Sequence, residues 1–211
     1  MTHWRPAEGE PTVTLLLRHG QTPMSVQKRY AGRSDVPLTD VGVQQAAASA
    51  KRLASAGLGV IVTSPLLRTV QTAQEVAAVT GAAVVTDDGF RETDFGAWEG
   101  LTFAEVRERW PAEVAAWLAD PEVAPPGGES FIDVSARVTA ALHRVLAARA
   151  GQTVLIVSHV TPIKTLVAAA LLAPPPALYR MHLDVAALSE IDWYADGPAV
   201  LRSFNDTSHL S

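Results

Sequence analysis

Cysteine is absent from this chain of 211 residues, which excludes disulfide bonds and thiolate metal sites. The absence fits a reducing compartment, so we expect a cytoplasmic protein. Long apolar runs are also missing, since none reaches the roughly 20 residues that span a bilayer. The amino-terminal sequence MTHWRPAEGEPT lacks the apolar core of a signal peptide. We therefore expect no membrane partner.

An excess of basic residues is missing too. The chain carries 17 Lys and Arg against 22 Asp and Glu, for a formal net charge of -5. This balance disfavours a general nucleic-acid-binding surface, so we expect no nucleic acid partner and only a local anion site. With 48% hydrophobic and 18% charged residues, the chain can bury one well-packed core.

Apolar runs alternate with helical patterns along most of the chain. Strands are predicted at VTLLL (13–17), VIVTS (60–64), AVVT (83–86) and TVLIVSH (153–159), and helices at about 38–57, 66–79, 130–150 and from 160 towards the PPP at 174–176. The carboxyl-terminal AALSEIDWYADGPAVLRSF predicts a hairpin that turns at Asp196-Gly197. Strands that alternate with helices predict an α/β three-layer sandwich, with a mainly parallel central sheet and helices on both faces.

Two segments lie outside this alternation. Residues 1–12 are polar and contain two prolines, so they predict a tail or linker. Residues 102–120 predict two short helices broken at Pro111, followed by a loop rich in Pro and Gly. We therefore expect one domain over 13–211, with a small helical cap at about 90–130.

Two of the predicted strands end on histidine. TLLLRH closes on Arg18-His19 and TVLIVSH on Ser158-His159, while Arg68 falls in the first turn of the helix after VIVTS. Ligands of α/β sheets bind beyond the carboxyl ends of the strands. Each pattern alone also suits an ordinary structural residue. Together, two arginines, two histidines and a helix N-terminus at one edge indicate a phosphate pocket.

Four motifs in order, LLLRHGQT, SPLLRTVQTA, RETDFGAWEG and IVSHVTPIK, resemble those of the histidine phosphatases, the phosphoglycerate-mutase-like superfamily. The resemblance runs from Val13 to Phe204. It extends to the α-ribazole phosphatases of cobalamin biosynthesis and to the acid phosphatase half of a bacterial fusion with ribonuclease H. Such a fusion would place a ribonuclease H domain before the linker-like first residues.

The resemblance implies a metal-independent acid phosphatase that acts on a small phosphate ester, with α-ribazole 5'-phosphate as one candidate. His19 would attack phosphorus and form a phosphohistidine, with one ring nitrogen unprotonated and the other donating to a fixed acceptor, expected to be backbone. Arg18, Arg68 and His159 would bind the phosphoryl oxygens. Glu92 would protonate the leaving alkoxide, in the protonated form that crowding against phosphate favours.

No cofactor or metal is implied, because cationic side chains supply the positive charge. The resemblance assigns substrate binding to seven positions of this chain: Arg18, Thr22, Ser25, Gly32, Arg68, His159 and Val160.

This sequence departs from the family pattern at three places. Ser25 stands where many members have an Asn that contacts phosphate, and it reaches less far. Val160-Thr161-Pro162 replaces Gly-Gly, so a side chain narrows the rim, although the N–H of Val160 can still point at phosphate. ETDFGAWEG is the phosphatase-like version of a segment in which the mutases usually carry an Arg and a Tyr-Gly.

Two other functions stay open at this point: a mutase-type phosphotransferase, and a catalytically weak binding or scaffold domain. Asp94 and Glu99 compete with Glu92 as proton donors, but we expect Asp94 to order its loop and Glu99 to be structural near Trp98. The aromatic residues of the cap segment suit a bulkier ester than phosphoglycerate. Trp110 and Trp117 are expected to pack within the cap.

Overall fold

The computed structural model describes residues 8–211, and a six-stranded mixed sheet lies at its centre. Residues 1–7 of the predicted tail lie outside the described part, and residue 12 already belongs to the first strand. The strands are β1 (Thr12–Arg18), β2 (Leu58–Thr63), β3 (Val84–Thr86), β4 (Thr153–Ser158), β5 (Leu188–Trp193) and β6 (Ala199–Asp206).

The strand order across the sheet is β3-β2-β4-β1-β5-β6. The pairs β3–β2, β2–β4 and β4–β1 are parallel, whereas β5 pairs antiparallel with both β1 and β6. The mainly parallel sheet and the carboxyl-terminal hairpin are therefore confirmed. Because β1 and β4 are parallel neighbours at the centre of the sheet, their carboxyl ends lie side by side.

Seven α-helices connect and cover these strands within residues 8–211. They are α1 (Pro23–Val26), α2 (Asp40–Leu53), α3 (Leu67–Thr80), α4 (Phe103–Arg109), α5 (Pro111–Ala119), α6 (Phe131–Ala148) and α7 (Val160–Ala170). The short α1, which Thr22 caps, was not predicted. None of these helices is long and apolar enough to cross a bilayer.

The alternating side chains of β1 divide the core between two helical layers. Leu16 packs into the apolar cluster that contains residues of α6 and α7. Leu15 and Leu17 point to the opposite face, into the cluster that contains residues of α2 and α3. Burial of both faces explains why the central strands read as continuous apolar runs. The three-layer sandwich is confirmed.

Local signals in the sequence place the helix ends. The side chain of Thr39 accepts a hydrogen bond from the N–H of Gly42 and so caps α2. Gly81 ends α3 in the left-handed conformation, with φ of 72°. At the end of α7 the chain turns at Leu172, which has φ of 52°, so this helix stops before the PPP that was expected to end it.

The two cap helices form a second, smaller core. Val106 of α4 and Val114 and Trp117 of α5 are buried against Trp98 and Phe131. Trp110, at the α4–α5 junction, is partly buried against the same cluster. The expectation that Trp110 and Trp117 pack within the cap is confirmed. This packing fixes one wall of the cavity described below.

Candidate active site

The carboxyl ends of β1 and β4 bring two histidines together. Arg18 pairs with Ser158 in the parallel register, and the next residue of each segment is a histidine. The ring centroids of His19 and His159 lie 5.3 Å apart, with the ring planes inclined at 60°. The expectation that these strands are neighbours is confirmed.

A single hydrogen bond fixes the tautomer of His19. Its Nδ1 lies 2.8 Å from the carbonyl oxygen of Gly20, and because a carbonyl only accepts, Nδ1 carries the proton in the neutral ring. Burial lowers the pKa of His19 well below 6.5, and the positive charges of Arg68 and Arg18 lower it further. The imidazole is therefore neutral near pH 7, with a lone pair on Nε2. The expected backbone acceptor is present.

Gly20 is required by the close approach of α2. A Cβ at this position would collide with the carbonyl oxygen of Gly42, in the first turn of α2. The N–H of Gly20 also donates to Oγ1 of Thr72 on α3, at 3.2 Å. The segment after β1 is thus held between two helices, which makes the position of His19 rigid.

Ser64 anchors the second histidine. Its Oγ lies 2.8 Å from Nε2 of His159, and both side chains are fully buried. The same Oγ accepts the N–H of Leu66 at 3.4 Å, and no other acceptor for the Ser64 hydroxyl proton was found in residues 8–211, so we assign that proton to the bond with Nε2 of His159. That arrangement leaves the ring proton of His159 on Nδ1. Burial lowers the pKa of His159 well below 6.5, with the charge of Arg68 as the next cause, so this ring too is neutral.

We expect Ser64→Ala to lower kcat/KM by about tenfold, the value of one buried hydrogen bond. Without the hydroxyl, the proton of His159 is free to move from Nδ1 to Nε2. ¹⁵N chemical shifts of His159 would report the tautomer, alongside the kinetics.

Ser158→Ala is the matched control for this substitution. It removes an equally buried hydroxyl, which donates to the carbonyl of Phe90 and not to a histidine. An unchanged His159 tautomer in Ser64→Ala, or an equal shift in Ser158→Ala, would contradict the positioning role of Ser64.

Two arginines supply positive charge beside the histidines. Arg18 donates from Nη1 to the carbonyl of Leu183 at 2.6 Å, and burial lowers its pKa to about 10. Arg68 is fully buried and donates to the carbonyls of Ala31, Gly32 and Ser34 at 2.7–3.1 Å.

Three buried nitrogens of these side chains have no hydrogen-bond partner within the described part of the chain. They are Nε of Arg18, Nε of Arg68 and Nδ1 of His159. Buried donors without partners are rare in proteins, because each one costs desolvation free energy. Five other buried side-chain atoms in residues 8–211 also lack a partner, and of these three residues only Arg18 lines the cavity, whereas Arg68 and His159 lie behind its lining.

Glu92 lies at the amino terminus of α7 and is only 6% exposed. Its Oε2 accepts the N–H of Val160 at 3.0 Å, and its Oε1 accepts the N–H groups of Thr93 at 2.8 Å and of Thr161 at 3.2 Å. A helix N-terminus favours a carboxylate in this position. The N–H of Val160, which was expected to point at phosphate, donates to Glu92 instead.

The remaining predicted binding positions differ in their surroundings. Thr22 and Ser25 line the cavity beside His19, but the Ser25 hydroxyl donates to the carbonyl of Thr22 at 2.8 Å. Gly32 lies apart from the cavity lining, with its N–H donated to Glu99 and its carbonyl accepting from Arg68. The backbone N–H and carbonyl of Gly32 are therefore already hydrogen-bonded within the protein, because Glu99 and Arg68 bind the loop that contains Gly32.

The two competing carboxylates have structural partners. Glu99 accepts from the N–H groups of Gly32 and Arg33 and from the hydroxyl of Ser34, at 2.8–3.1 Å. Asp94 accepts the N–H of Gly96 at 2.9 Å. These contacts match the loop-ordering role expected for Asp94 and the structural role expected for Glu99. Of the three carboxylates, Glu92 is the one that lines the cavity.

The cavity at this edge has a volume of about 400 Å³. Arg18, His19, Thr22 and Glu92 line one end, and the opposite wall is mostly aromatic. No group of three or more His, Asp or Glu side chains that could hold a metal ion was found in residues 8–211. The arrangement provides a neutral nucleophile, cationic donors and a carboxyl group around one space.

The model of the histidine phosphatase superfamily (branch 1) matches residues 14–207. The chain belongs to this superfamily. The match covers all six strands of the sheet apart from the first residues of β1, so the family resemblance of the four motifs is confirmed across the domain.

Two curated relatives align with nearly the whole of this chain. The "Bifunctional protein Rv2228c" of Mycobacterium tuberculosis is 50% identical over 208 residues, which cover 98% of this chain and 57% of that protein. The chain therefore spans little more than half the length of this relative. The "Probable phosphoglycerate mutase GpmB" of Proteus mirabilis is 36% identical over 204 residues, with 93% of this chain and 94% of that protein covered.

A solved structure of a phosphatase has the same fold. The mycobacterial glucosyl-3-phosphoglycerate phosphatase Rv2419c, in complex with VO3, superposes with a TM-score of 0.85 at 32% sequence identity. The match covers 93% of this chain and 100% of that one.

Several residues of this histidine phosphatase site were not singled out from the sequence. Ser64 was predicted only as the last residue of a strand. Because it follows β2 at the carboxyl edge of the sheet, next to β4, its position could have indicated a contact with His159. Thr161 and Lys164 follow His159 on α7, and the one-turn spacing between Val160 and Lys164 puts both on one face. Tyr30 lines the cavity from a loop and Tyr179 from a short 3₁₀ helix (Pro175–Arg180), and no local pattern indicates the position of either.

Proposed function

We propose that the chain is a phosphomonoesterase that works through a phosphohistidine at His19. The observation that carries the proposal is the neutral imidazole of His19, whose Nδ1 is bound to Gly20 and which lines the cavity together with Arg18 and Glu92. A phosphoryl group bound in this cavity can accept from Arg18 and places phosphorus within reach of Nε2 of His19.

The first half-reaction forms the nitrogen–phosphorus bond. The lone pair on Nε2 of His19 attacks phosphorus as the bond from phosphorus to the alcohol oxygen breaks, and Glu92 gives that oxygen a proton. The Nδ1–H bond to Gly20 stabilises the positive charge of the phosphorylated ring. The guanidinium groups and His159 offset the charge on the phosphoryl oxygens.

The second half-reaction releases phosphate. Water attacks phosphorus and passes a proton to the Glu92 carboxylate, the nitrogen–phosphorus bond breaks, and the His19 ring returns to its neutral form. Each residue is back in its starting state after one ester and one water molecule have been consumed.

A phosphoglycerate mutase is the second candidate, because a protein described as a probable mutase is 36% identical to this chain. A mutase needs cationic groups that grip a small carboxylate substrate and must keep water from the phosphoenzyme. Arg29, which lines the cavity, forms a salt bridge with Glu105 of the cap helix α4, so one cation near the cavity is already paired with a carboxylate. Hydrolysis of several esters without interconversion of 2- and 3-phosphoglycerate would support the phosphatase, whereas rapid interconversion would support the mutase.

We expect phosphatase activity to be insensitive to excess EDTA and strongly inhibited by vanadate. Arg18 and Arg68 provide the positive charge that a metal ion supplies in other phosphatases, and vanadate adopts the five-coordinate geometry of phosphoryl transfer. The assay is hydrolysis of p-nitrophenyl phosphate, with a magnesium-dependent phosphatase treated in parallel as control. A rate that EDTA abolishes and only magnesium or zinc restores would contradict the proposal.

The wider context follows from the resemblance rather than from the site. We propose that this domain, over 13–211, works in the cytoplasm on a small phosphate ester, as part of a longer protein with an amino-terminal ribonuclease H domain. The relative named as bifunctional supports a longer parent, since the chain spans 57% of its length. A substrate panel that includes α-ribazole 5'-phosphate tests the candidate ester.

A further inference from the structure

The cavity is larger than a phosphoryl group requires. Its volume of about 400 Å³ falls within the range of sites that enclose an organic ligand. Beyond the His19 end, the wall is apolar and mostly aromatic, from Tyr30, Phe95, Trp117, Phe131, Leu178 and Tyr179. The organic part of the ester is therefore expected to be bulky, with a flat or apolar body.

One cation lies in this otherwise apolar part. Lys164 is on the face of α7 that carries Val160, one turn further from the helix start, and its side chain lines the cavity. Its Nζ donates to the carbonyl of Leu178 at 3.3 Å, and within residues 8–211 it makes no salt bridge. An ammonium group has three donors, so two remain available to a ligand.

The groups that surround Lys164 leave its charge uncompensated by a direct contact. Burial is the largest effect on the pKa of Lys164 and lowers it. The charge of Glu92 raises this pKa and the charge of Arg18 lowers it, so that the pKa of Lys164 is lowered overall. Both carboxylate oxygens of Glu92 already accept backbone N–H groups. Arg18 and Arg29 also line the cavity. Arg29 donates to the carboxylate of Glu105 and to the carbonyl of Gly100.

We propose that Lys164 is a specificity-determining residue that binds a carboxylate on the organic part of the substrate. The proposal rests on the proposed phosphatase function and names its substrate class: phosphomonoesters whose alcohol carries an apolar or aromatic body and a carboxylate. A single ammonium group with two available donors matches the single negative charge and the two oxygens of a carboxylate. Phosphate esters whose organic part carries no negative charge, α-ribazole 5'-phosphate included, would leave Lys164 without a partner.

The test uses four aryl esters: 3- and 4-carboxyphenyl phosphate and the two corresponding carbamoylphenyl phosphates. The carboxylate and amide of each pair have nearly the same shape and differ in charge. For the wild type, we expect kcat/KM to favour the better-placed carboxylate over its amide by about tenfold or more, mainly through KM. Lys164→Gln and Lys164→Met should bring this ratio close to one, and Lys164→Arg should keep most of it.

The change in ratio between variants isolates the charge of Lys164, since leaving-group differences between the esters are the same in every variant. Lys51→Met, at an exposed position on α2, controls for the loss of one positive charge from the molecule. A ratio that Lys164→Gln leaves unaltered, with all four esters hydrolysed, overturns the carboxylate inference alone. A wild type that hydrolyses none of them contradicts the phosphatase function instead.

Discussion

His19→Ala is expected to lower kcat for every phosphate ester by about 10⁴-fold or more, the order of loss when a covalent nucleophile is removed. His19 has a neutral ring whose Nε2 has no hydrogen-bond partner among the described residues, whereas Nε2 of the neighbouring His159 is bound to Ser64. Binding of phosphate or vanadate should survive the substitution, since the donors remain.

A rapid quench in alkaline denaturant, followed by separate treatment with acid or base, measures the intermediate directly. Wild type should carry phosphate that is labile in acid and stable in base, as expected for phosphohistidine, and His19→Ala should carry none. His143→Ala, at an exposed position on α6, is the matched control and should behave as wild type. Full activity in His19→Ala, or phosphate that is stable in acid, would rule out the proposed mechanism.

Most of the fold was predictable because its signals are local. Apolar runs of β1 and β4 required burial on both faces, and Thr39 and Gly81 marked helix ends through hydrogen bonding and left-handed geometry. The stop of α7 was misplaced, because the chain leaves the helix at Leu172 before the prolines are reached. The four-residue α1 is too short to have a periodic pattern, so only its cap could have indicated it.

The candidate site was predictable where strands deliver its residues, and less so elsewhere. His19 and His159 follow adjacent parallel strands, and sheet geometry alone brings them to one edge. The partners of Arg68 depend on how loop 31–34 folds, which is a tertiary outcome. The contact between Glu92 and α7 joins segments 68 residues apart in sequence, and no local pattern encodes it.

That contact bears on how Glu92 works. Three backbone N–H groups donate to its carboxylate, two of them from the start of α7. A phosphoryl oxygen in the crevice could accept from the same helix terminus, because free N–H groups bind phosphate and carboxylate alike. Substrate binding would then release a carboxyl oxygen of Glu92 to face the leaving group. Glu92 would thereby act on the ester only when a phosphoryl group is bound.

The second large effect is expected from Glu92→Gln, and it depends on the leaving group. An alkyl or ribose phosphate leaves as a poor alkoxide and needs a proton in the transition state, whereas p-nitrophenolate leaves readily without one. Loss of the proton donor should therefore slow alkyl esters by about 10²–10⁴-fold and p-nitrophenyl phosphate far less. Gln keeps one oxygen that can accept the N–H groups of α7.

The measurement is kcat/KM for one alkyl and one aryl ester, in wild type and Glu92→Gln, across pH. The aryl ester is the internal control, because any change in folding or phosphate binding slows both substrates alike. Equal losses on the two esters would mean that Glu92 orients the start of α7 rather than donating a proton. Asp94 would then be the next carboxylate to replace, although its bond to the N–H of Gly96 ties it to the loop. A selective loss on the alkyl ester would identify Glu92 as the general acid.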